Sequence, residues 1–408
     1  MQTEIIIERL GHQGDGIAPG PVFAARTLPG ETVTGELDGS HLRDIRIVTP
    51  SVDRVQPPCR HYKSCGGCQL QHASEEFTAN WKLEFAQSAL LAQGLETEFR
   101  PILTSPPRTR RRATLAARRT KKGALAGFHG KASGTITEIP DCHLLDPALI
   151  AALPMVEALA SQFGSRKGEL AVTVTVSLAG LDVSVSGGRE LDGPLRMGLA
   201  QFAEASGIAR LAWDQEMIAM RQPPVQKFGP ASVVPPPGAF LQATPEGEAA
   251  LLASVLEIVG SADKVVDLFA GCGTFALPLT KTAEVHAVEG DRDMTDALDK
   301  GWRAVGGLKK LTSEARDLFR RPLMPDEFKR VDAVVIDPPR AGAEAQIREL
   351  AQSGVPVIAH VSCNPVTFAR DARVLVDAGY DLEWVQVVDQ FRWSVHTELV
   401  GAFRLGKR

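Results

Sequence analysis

The sequence has no apolar run approaching the ~20 residues needed to span a bilayer. Its first residues, MQTEIIIERLG, carry Glu4 and Glu8 and lack the basic, apolar and small-residue succession of a signal peptide. The expectation is a cytoplasmic protein with no membrane partner. Strong net charge is absent as well: the formal value is −4 over 408 residues, so global charge announces no polyanionic partner. Internal repeats and low-complexity tracts are missing, and cysteine is scarce, with six in the chain. What remains is 44% hydrophobic and 23% charged, an ordinary globular composition with length for two or three domains.

Three of the six cysteines nevertheless fall within ten residues: Cys59, Cys65 and Cys68, in "PPCRHYKSCGGCQLQH". Disulfides, a metal and core packing are the three readings. In a reducing compartment such a cluster is more often metal-binding or catalytic than disulfide-bonded. Positive charge is concentrated too. "RTRRRATLAARRTKK", residues 108–122, has eight basic residues and no acid. Such a stretch neutralises phosphates and releases their counterions, marking RNA or DNA; a solvated basic strand or loop is the alternative.

Along the chain, short β-rich runs with close-spaced glycine turns suggest a small barrel over residues 1–55, a shape that grips single-stranded nucleic acid. Apolar spacing predicts a helix over 75–93. Residues 56–235 read as the cysteine segment followed by a mixed β domain, on alternation such as "LAVTVTVSLAGLDVSVSG". The proline-rich 222–240 stretch reads as a linker or domain edge. From 236 to 408, helical segments alternate with continuous apolar runs, "KVVDLF", "EVHAVE", "VDAVVID" and "VPVIAHVSC". That pattern is an open α/β sheet with strands buried on both faces.

"VVDLFAGCGTFALPL" is a strand, a glycine turn with Gly271 and Gly273, and a helix. The next strand ends in Glu289, a carboxylate suited to ribose hydroxyls. The third glycine of a dinucleotide fingerprint is missing, which favours S-adenosylmethionine, a nucleoside without a pyrophosphate, over NAD. Asp317 falls where a loop after the third strand meets the adenine. "VVIDPPRAG" brings Asp337 to a strand end, with Arg340 where amine-methylating enzymes carry an aromatic ring. "HVSCNPVTF" brings Cys363 to the same edge, just before a helix whose N-terminus stabilises a thiolate. Cys272, inside the glycine turn, reads as packing. A nucleophilic cysteine beside a methyl donor suits a poor carbon acceptor such as carbon 5 of uracil: addition at carbon 6 makes carbon 5 nucleophilic, and a base then removes its proton. "RWSVHTELV" offers His396 and Glu398 for that base.

With these residues together, the chain resembles the bacterial RNA uracil-5-methyltransferase family, in its iron–sulfur branch acting on 23S ribosomal RNA. The resemblance covers nearly the whole chain and rests on "FLQ", "DLFAGCGTF", "VEGD", "DPPRAG", "SCNP" and "HTE" in the family's order, with a central "RRRA". It implies a Rossmann-like methyltransferase domain at 236–408, a TRAM-like barrel at 1–55, and a central RNA-binding domain at 56–235. It further implies Cys363 as nucleophile, Glu398 as base, and Gln242, Phe269, Glu289 and Asp337 as S-adenosylmethionine contacts. Cys142, in "IPDCHLL", becomes the fourth thiolate beside Cys59, Cys65 and Cys68. Four thiolates suit zinc or iron–sulfur on charge alone; the family pattern implies a 4Fe–4S cluster of structural role. Thr244 and Thr274 stand where the family often has asparagine. A monomer acting on ribosomal RNA is expected. The rival readings are a transfer RNA uracil-5-methyltransferase, a cytosine-5-methyltransferase, and a non-catalytic RNA-binding or assembly protein.

Overall fold

The computed structural model describes residues 3–406. The predicted elements form where their patterning requires. The helix Glu75–Leu91 begins at Ser74, whose hydroxyl accepts the Phe77 N–H and so satisfies one of the orphan donors of the first turn. The helix Pro245–Val259 begins the same way, with the Thr244 hydroxyl accepting from Gly247 N and Pro245 in the first turn. No described helix is long and apolar enough to cross a membrane.

Six strands between Thr3 and Thr49 pair along one open path around a core of Ile7, Ala18, Ala24, Val33 and Leu42. What the sequence suggests as a barrel is, in hydrogen-bond terms, a six-stranded sheet; no ladder joins its two end strands among the described residues. A second sheet of seven strands lies between Arg112 and Met220. Its hairpin Leu170–Ser177/Gly180–Ser186 turns Val172, Val174, Val183 and Val185 inward, against the helices Leu153–Phe163 and Gly193–Ala205. Period-two alternation thus separates a buried from a wetter face.

The third sheet has the spatial order Leu311–Ala315, Glu284–Glu289, Lys264–Leu268, Ala333–Ile336, Val357–Ser362, Glu398–Leu405, Tyr380–Asp389, with short strands from Glu98–Thr104 on the last edge. The first five are parallel, and Glu398–Leu405 runs antiparallel between its neighbours. Ala333–Ile336 and Val357–Ser362 are buried at every residue, as the continuous apolar runs required. Strand order reverses at Lys264–Leu268, so a crevice opens at the carboxyl ends there.

Two boundaries differ from the sequence reading. Residues 75–104, expected with the central 56–235 segment, belong physically with this third sheet. Ala86, Leu90 and Leu95 enter its core, and Glu98–Phe99 and Leu103–Thr104 extend its edge. The 222–240 stretch is no free linker: Gln226–Phe228 pairs with Ala231–Val233, and Phe228, Ala231 and Val233 are buried in the same core. Prolines flank this hairpin without breaking it, because its three apolar side chains have a core to enter.

Candidate active site

Register brings the chemistry-bearing residues together. Ser362 pairs with Leu399, so Cys363 and Glu398 stand on adjacent strand ends across an antiparallel ladder. Val388 pairs with Glu398 on the other side, which sets Gln390 just beyond the base candidate. Asp337 follows Ile336, whose partner is His360, and so opens on the same edge. Cys363 sits in the turn between its strand and the helix Pro365–Asp377, as expected, with Asn364 capping the helix through Val366 N.

The ionisation of Cys363 differs from expectation. Burial, then the Glu398 and Asp337 carboxyls, push its thiol up to about 11, with Arg340 opposing them. Burial and two facing carboxyls both favour the neutral thiol. Glu398 is buried, and burial followed by Asp337 raises its pKa to about 8, against the hydrogen bond from Gln390. Burial likewise raises Asp337 to about 7. Two acids facing one another in a dry crevice cannot both ionise freely. His396, the other base candidate, is half-buried; burial, then Arg340, Lys82 and Arg110, lower its pKa.

A chain of amides joins the two acids. Gln242 Nε2 donates to Asp337 Oδ2 at 3.3 Å, Gln390 Nε2 donates to Gln242 Oε1 at 2.6 Å, and Gln390 Nε2 also donates to Glu398 Oε2 at 3.0 Å. Sequence reading missed Gln390; its only signal was a polar residue just past the end of a buried strand. It also missed Lys82, fully buried, whose ammonium binds Asp389 at 2.5 Å and the Phe391 carbonyl at 3.1 Å. This pair pins the loop that carries Gln390, His396 and Glu398.

The crevice on the other side of Asp337 is lined from the glycine turn. Gly271 has φ +54°, and a side chain there would be strained, although the space beside it is open. Its N–H donates to Glu289 Oε2 at 2.9 Å, while Asp291 N donates to Oε1 at 3.0 Å. Phe269, also at positive φ, faces the half-exposed Phe319 ring with centroids 5.5 Å apart. Asp317 lies in the loop after Leu311–Ala315 and caps its own turn through Phe319 N. Thr244 is spent on capping its helix and on the Ser105 hydroxyl at 2.7 Å. Asp267 is buried, and its pKa is raised by burial, then by Asp337, with the Ala276 N–H opposing them. Cys272 is buried beside Met294.

The cysteine segment docks elsewhere. Gly66 N donates to the His129 carbonyl at 2.9 Å, and a Cβ on Gly66 would come within 2.7 Å of that oxygen, which explains why a glycine is needed there. Burial first, and the neighbouring Cys142 sulfur with it, raise the pKa of Cys59, Cys65 and Cys68; Cys68 is pushed up to about 12. Among the described residues no group of three or more His, Cys, Asp or Glu side chains is set closely enough to hold a metal ion.

The basic stretch divides. Arg111 is buried, paired with Glu248 at 2.5 Å and donating to the Gln242 carbonyl at 3.2 Å; Arg112 donates to the Gly238 carbonyl at 3.0 Å. These side chains join the central sheet to the segment entering the catalytic sheet, so they are not free for phosphates as the sequence suggested. Arg108, Arg118, Lys121 and Lys122 are exposed.

Comparison with known proteins places the chain among RNA methyltransferases. The family model described as tRNA (Uracil-5-)-methyltransferase matches residues 308–404. An uncharacterized RNA methyltransferase of Mesorhizobium japonicum is 45% identical over 98% of this chain and 97% of its own. The 23S rRNA (uracil(1939)-C(5))-methyltransferase of Halomonas elongata is 34% identical, over 97% of this chain and 88% of its own. The crystal structure of Pyrococcus abyssi tRNA (uracil-54, C5)-methyltransferase, in complex with S-adenosyl-L-homocysteine, superposes with a TM-score of 0.77 at 20% identity, covering 98% of this chain and 99% of that one. The third sheet therefore has the α/β methyltransferase fold. The chain belongs to the RNA (uracil-5-)-methyltransferase family.

Proposed function

We propose that this protein methylates carbon 5 of a uridine in 23S ribosomal RNA through a covalent adduct of Cys363 with carbon 6. The observation that carries this reading is the meeting of Cys363, Glu398 and Asp337 at one strand edge. The ribosomal substrate is supported by the 34% identical relative named for that reaction.

S-adenosylmethionine, when bound, supplies the methyl group. Gln242, Phe269, Glu289 and Asp337 are the residues to hold it. The fit is electrostatic: Asp267, Asp337 and Glu289 gather around the glycine turn, two of them with raised pKa values, and a sulfonium cation would favour their ionised forms. The Cys363 thiol loses its proton to solvent as its sulfur forms a bond to carbon 6, and the π pair of the C5–C6 bond moves onto carbon 5 and the adjacent carbon-4 carbonyl. After methylation Glu398 takes the carbon-5 proton; the freed pair restores the double bond and expels the thiolate.

Cys59, Cys65, Cys68 and Cys142 are proposed to hold a 4Fe–4S cluster. Cys65 Sγ accepts from Gly67 N and Cys142 Sγ from Leu144 N, each at 3.4 Å, and the Arg110 guanidinium faces Cys68 and Cys142. Backbone donors and a cation beside these partly buried sulfurs suit thiolates that give their charge to iron. A single ion draws its ligands onto one point, whereas a cluster takes one thiolate at each of four irons. The cluster would tie the cysteine segment to the central sheet.

The test is mapping of 5-methyluridine in total RNA from a deletion strain, with complementation by variants. Wild type should restore one 23S position. Glu398→Gln should accumulate a denaturation-resistant protein–RNA species carrying the methyl group, because a general base contributes about 10²–10⁴-fold. Cys363→Ala should give none; a Cys363→Ala enzyme that still methylates carbon 5 overturns the mechanism.

A further inference from the structure

We infer that Gln390 is a positioning residue for the base: it holds Glu398 as a proton acceptor and locks the orientation of Gln242 against Asp337. The inference rests on the reading of Glu398 as base and Gln242 as cofactor contact.

The amide orientation of a glutamine is ordinarily open to a flip, but here a backbone group settles it. Ala243 N donates to Gln390 Oε1 at 2.8 Å, and a main-chain N–H can only donate. The Gln390 nitrogen therefore faces the other way, and its two hydrogens have two acceptors, Gln242 Oε1 and Glu398 Oε2. That choice propagates. With its oxygen facing Gln390, Gln242 must turn its own nitrogen to Asp337. One backbone N–H thus orients four side chains in series, all without free rotation because Gln390 and Gln242 are buried.

The anchor at the other end is also rigid. Asp389, the preceding residue, is held by Lys82 from the helix Glu75–Leu91, and Arg111 holds the Gln242 and Ala243 carbonyls. Gln390 is fixed from both sides while Glu398 sits at a strand start. The chemical consequence follows from what each oxygen can do. The Glu398 oxygen facing Gln390 receives an N–H, so it serves as an acceptor whichever protonation state the carboxyl holds. The titratable groups facing Glu398 are Asp337 and the Cys363 thiol, both of which, when ionised, oppose its carboxylate form. Beyond Cys363 stands Arg340. Gln390 is the hydrogen-bond donor that favours the carboxylate.

The experiment uses Gln390→Met, which keeps the volume and removes both donors, and follows release of methylated RNA from the covalent adduct in single turnover between pH 6 and 9. Losing one charge-assisted hydrogen bond should move the release midpoint about one pH unit upward and slow release about tenfold below it. S-adenosylmethionine affinity should also fall, as Gln242 loses its orientation. In a Glu398→Gln background the Gln390→Met change should add nothing to the release rate. If Gln390→Met fails to fold, Gln390→Glu keeps the Ala243 contact and sets an oxygen against both acceptors; it should shift the midpoint in the same direction. A normal midpoint in the folded variant, with Glu398→Gln still stalled, overturns this inference alone. Normal release by Glu398→Gln overturns the base assignment and this inference with it.

Discussion

The ionisation of Cys363 gives the sharpest check on the site. Its thiol is pushed from 9.0 to about 11 by burial, then by Glu398 and Asp337. At pH 8 the thiolate fraction is therefore about a hundredfold below that of an unperturbed cysteine. Replacing Glu398 with Gln removes the opposing carboxylate and keeps the volume, so the midpoint should fall by about one unit or less, and the thiolate between about pH 9 and 10, where Glu398 is ionised, should rise by up to about tenfold. Alkylation by iodoacetamide follows the thiolate, and quantifying the Cys363 peptide by mass spectrometry from about pH 7 to 11 reads it site by site. Cys272 supplies the internal control. It is pushed up to about 12 by burial and by Glu289 and Asp291, neither altered, so its rate should not change. A wild-type Cys363 titrating below about pH 9, or a Glu398→Gln variant alkylated no faster than wild type between about pH 9 and 10, where Glu398 is ionised in the wild type, would refute the electrostatic account of the site.

Other perturbations separate structural from functional roles. Lys82→Met leaves Asp389 buried and unpaired and should cost about 3–5 kcal/mol, read as a lower urea midpoint; adding Asp389→Leu should recover part of it. Changing Arg108, Lys121 and Lys122 to Gln should reduce the salt slope of RNA binding by about 0.7 for each phosphate that is no longer neutralised. Arg111→Met should instead lower stability, since it leaves Glu248 without its partner. Anaerobically purified protein should hold about four irons per chain; stoichiometric zinc without iron, or full iron in Cys142→Ser, would count against the cluster.

The catalytic fold was legible because parallel strands buried on both faces leave continuous apolar runs, and because strand ends announce themselves by a switch to Gly, Pro, Asp and Cys. The expected strands around "KVVDLF", "EVHAVE", "VDAVVID" and "VPVIAHVSC" all form. What could not be read was the placement of short segments on distant elements. Glu98–Phe99 joins Trp384–Val385 across most of the chain, and nothing local in two residues specifies that. The basic stretch misled for a related reason: charge along a sequence does not say which side chains a neighbouring segment will cover. Arg111 and Lys121 look alike in the string, yet only the first meets a Glu248.

The amide chain shows where site chemistry escapes a motif altogether. Asp337, Cys363 and Glu398 each stand at a strand end with a neighbour pattern that points to chemistry. Gln390 and Gln242 are neutral, and their contribution exists only through which atom faces which. That orientation depends on the Ala243 N–H, a group every residue except proline possesses. It is therefore invisible to composition and spacing, and appears only when the loop after Tyr380–Asp389 is seen against the segment before Pro245–Val259. The same loop receives Gln69 N and Leu70 N on the Trp393 carbonyl, at 2.8 and 2.9 Å, directly after Cys68. The cysteine segment and Glu398 are thus fastened to the same short connection, residues 390–397. A displacement of the cysteine segment therefore has a physical route to Glu398 through this connection.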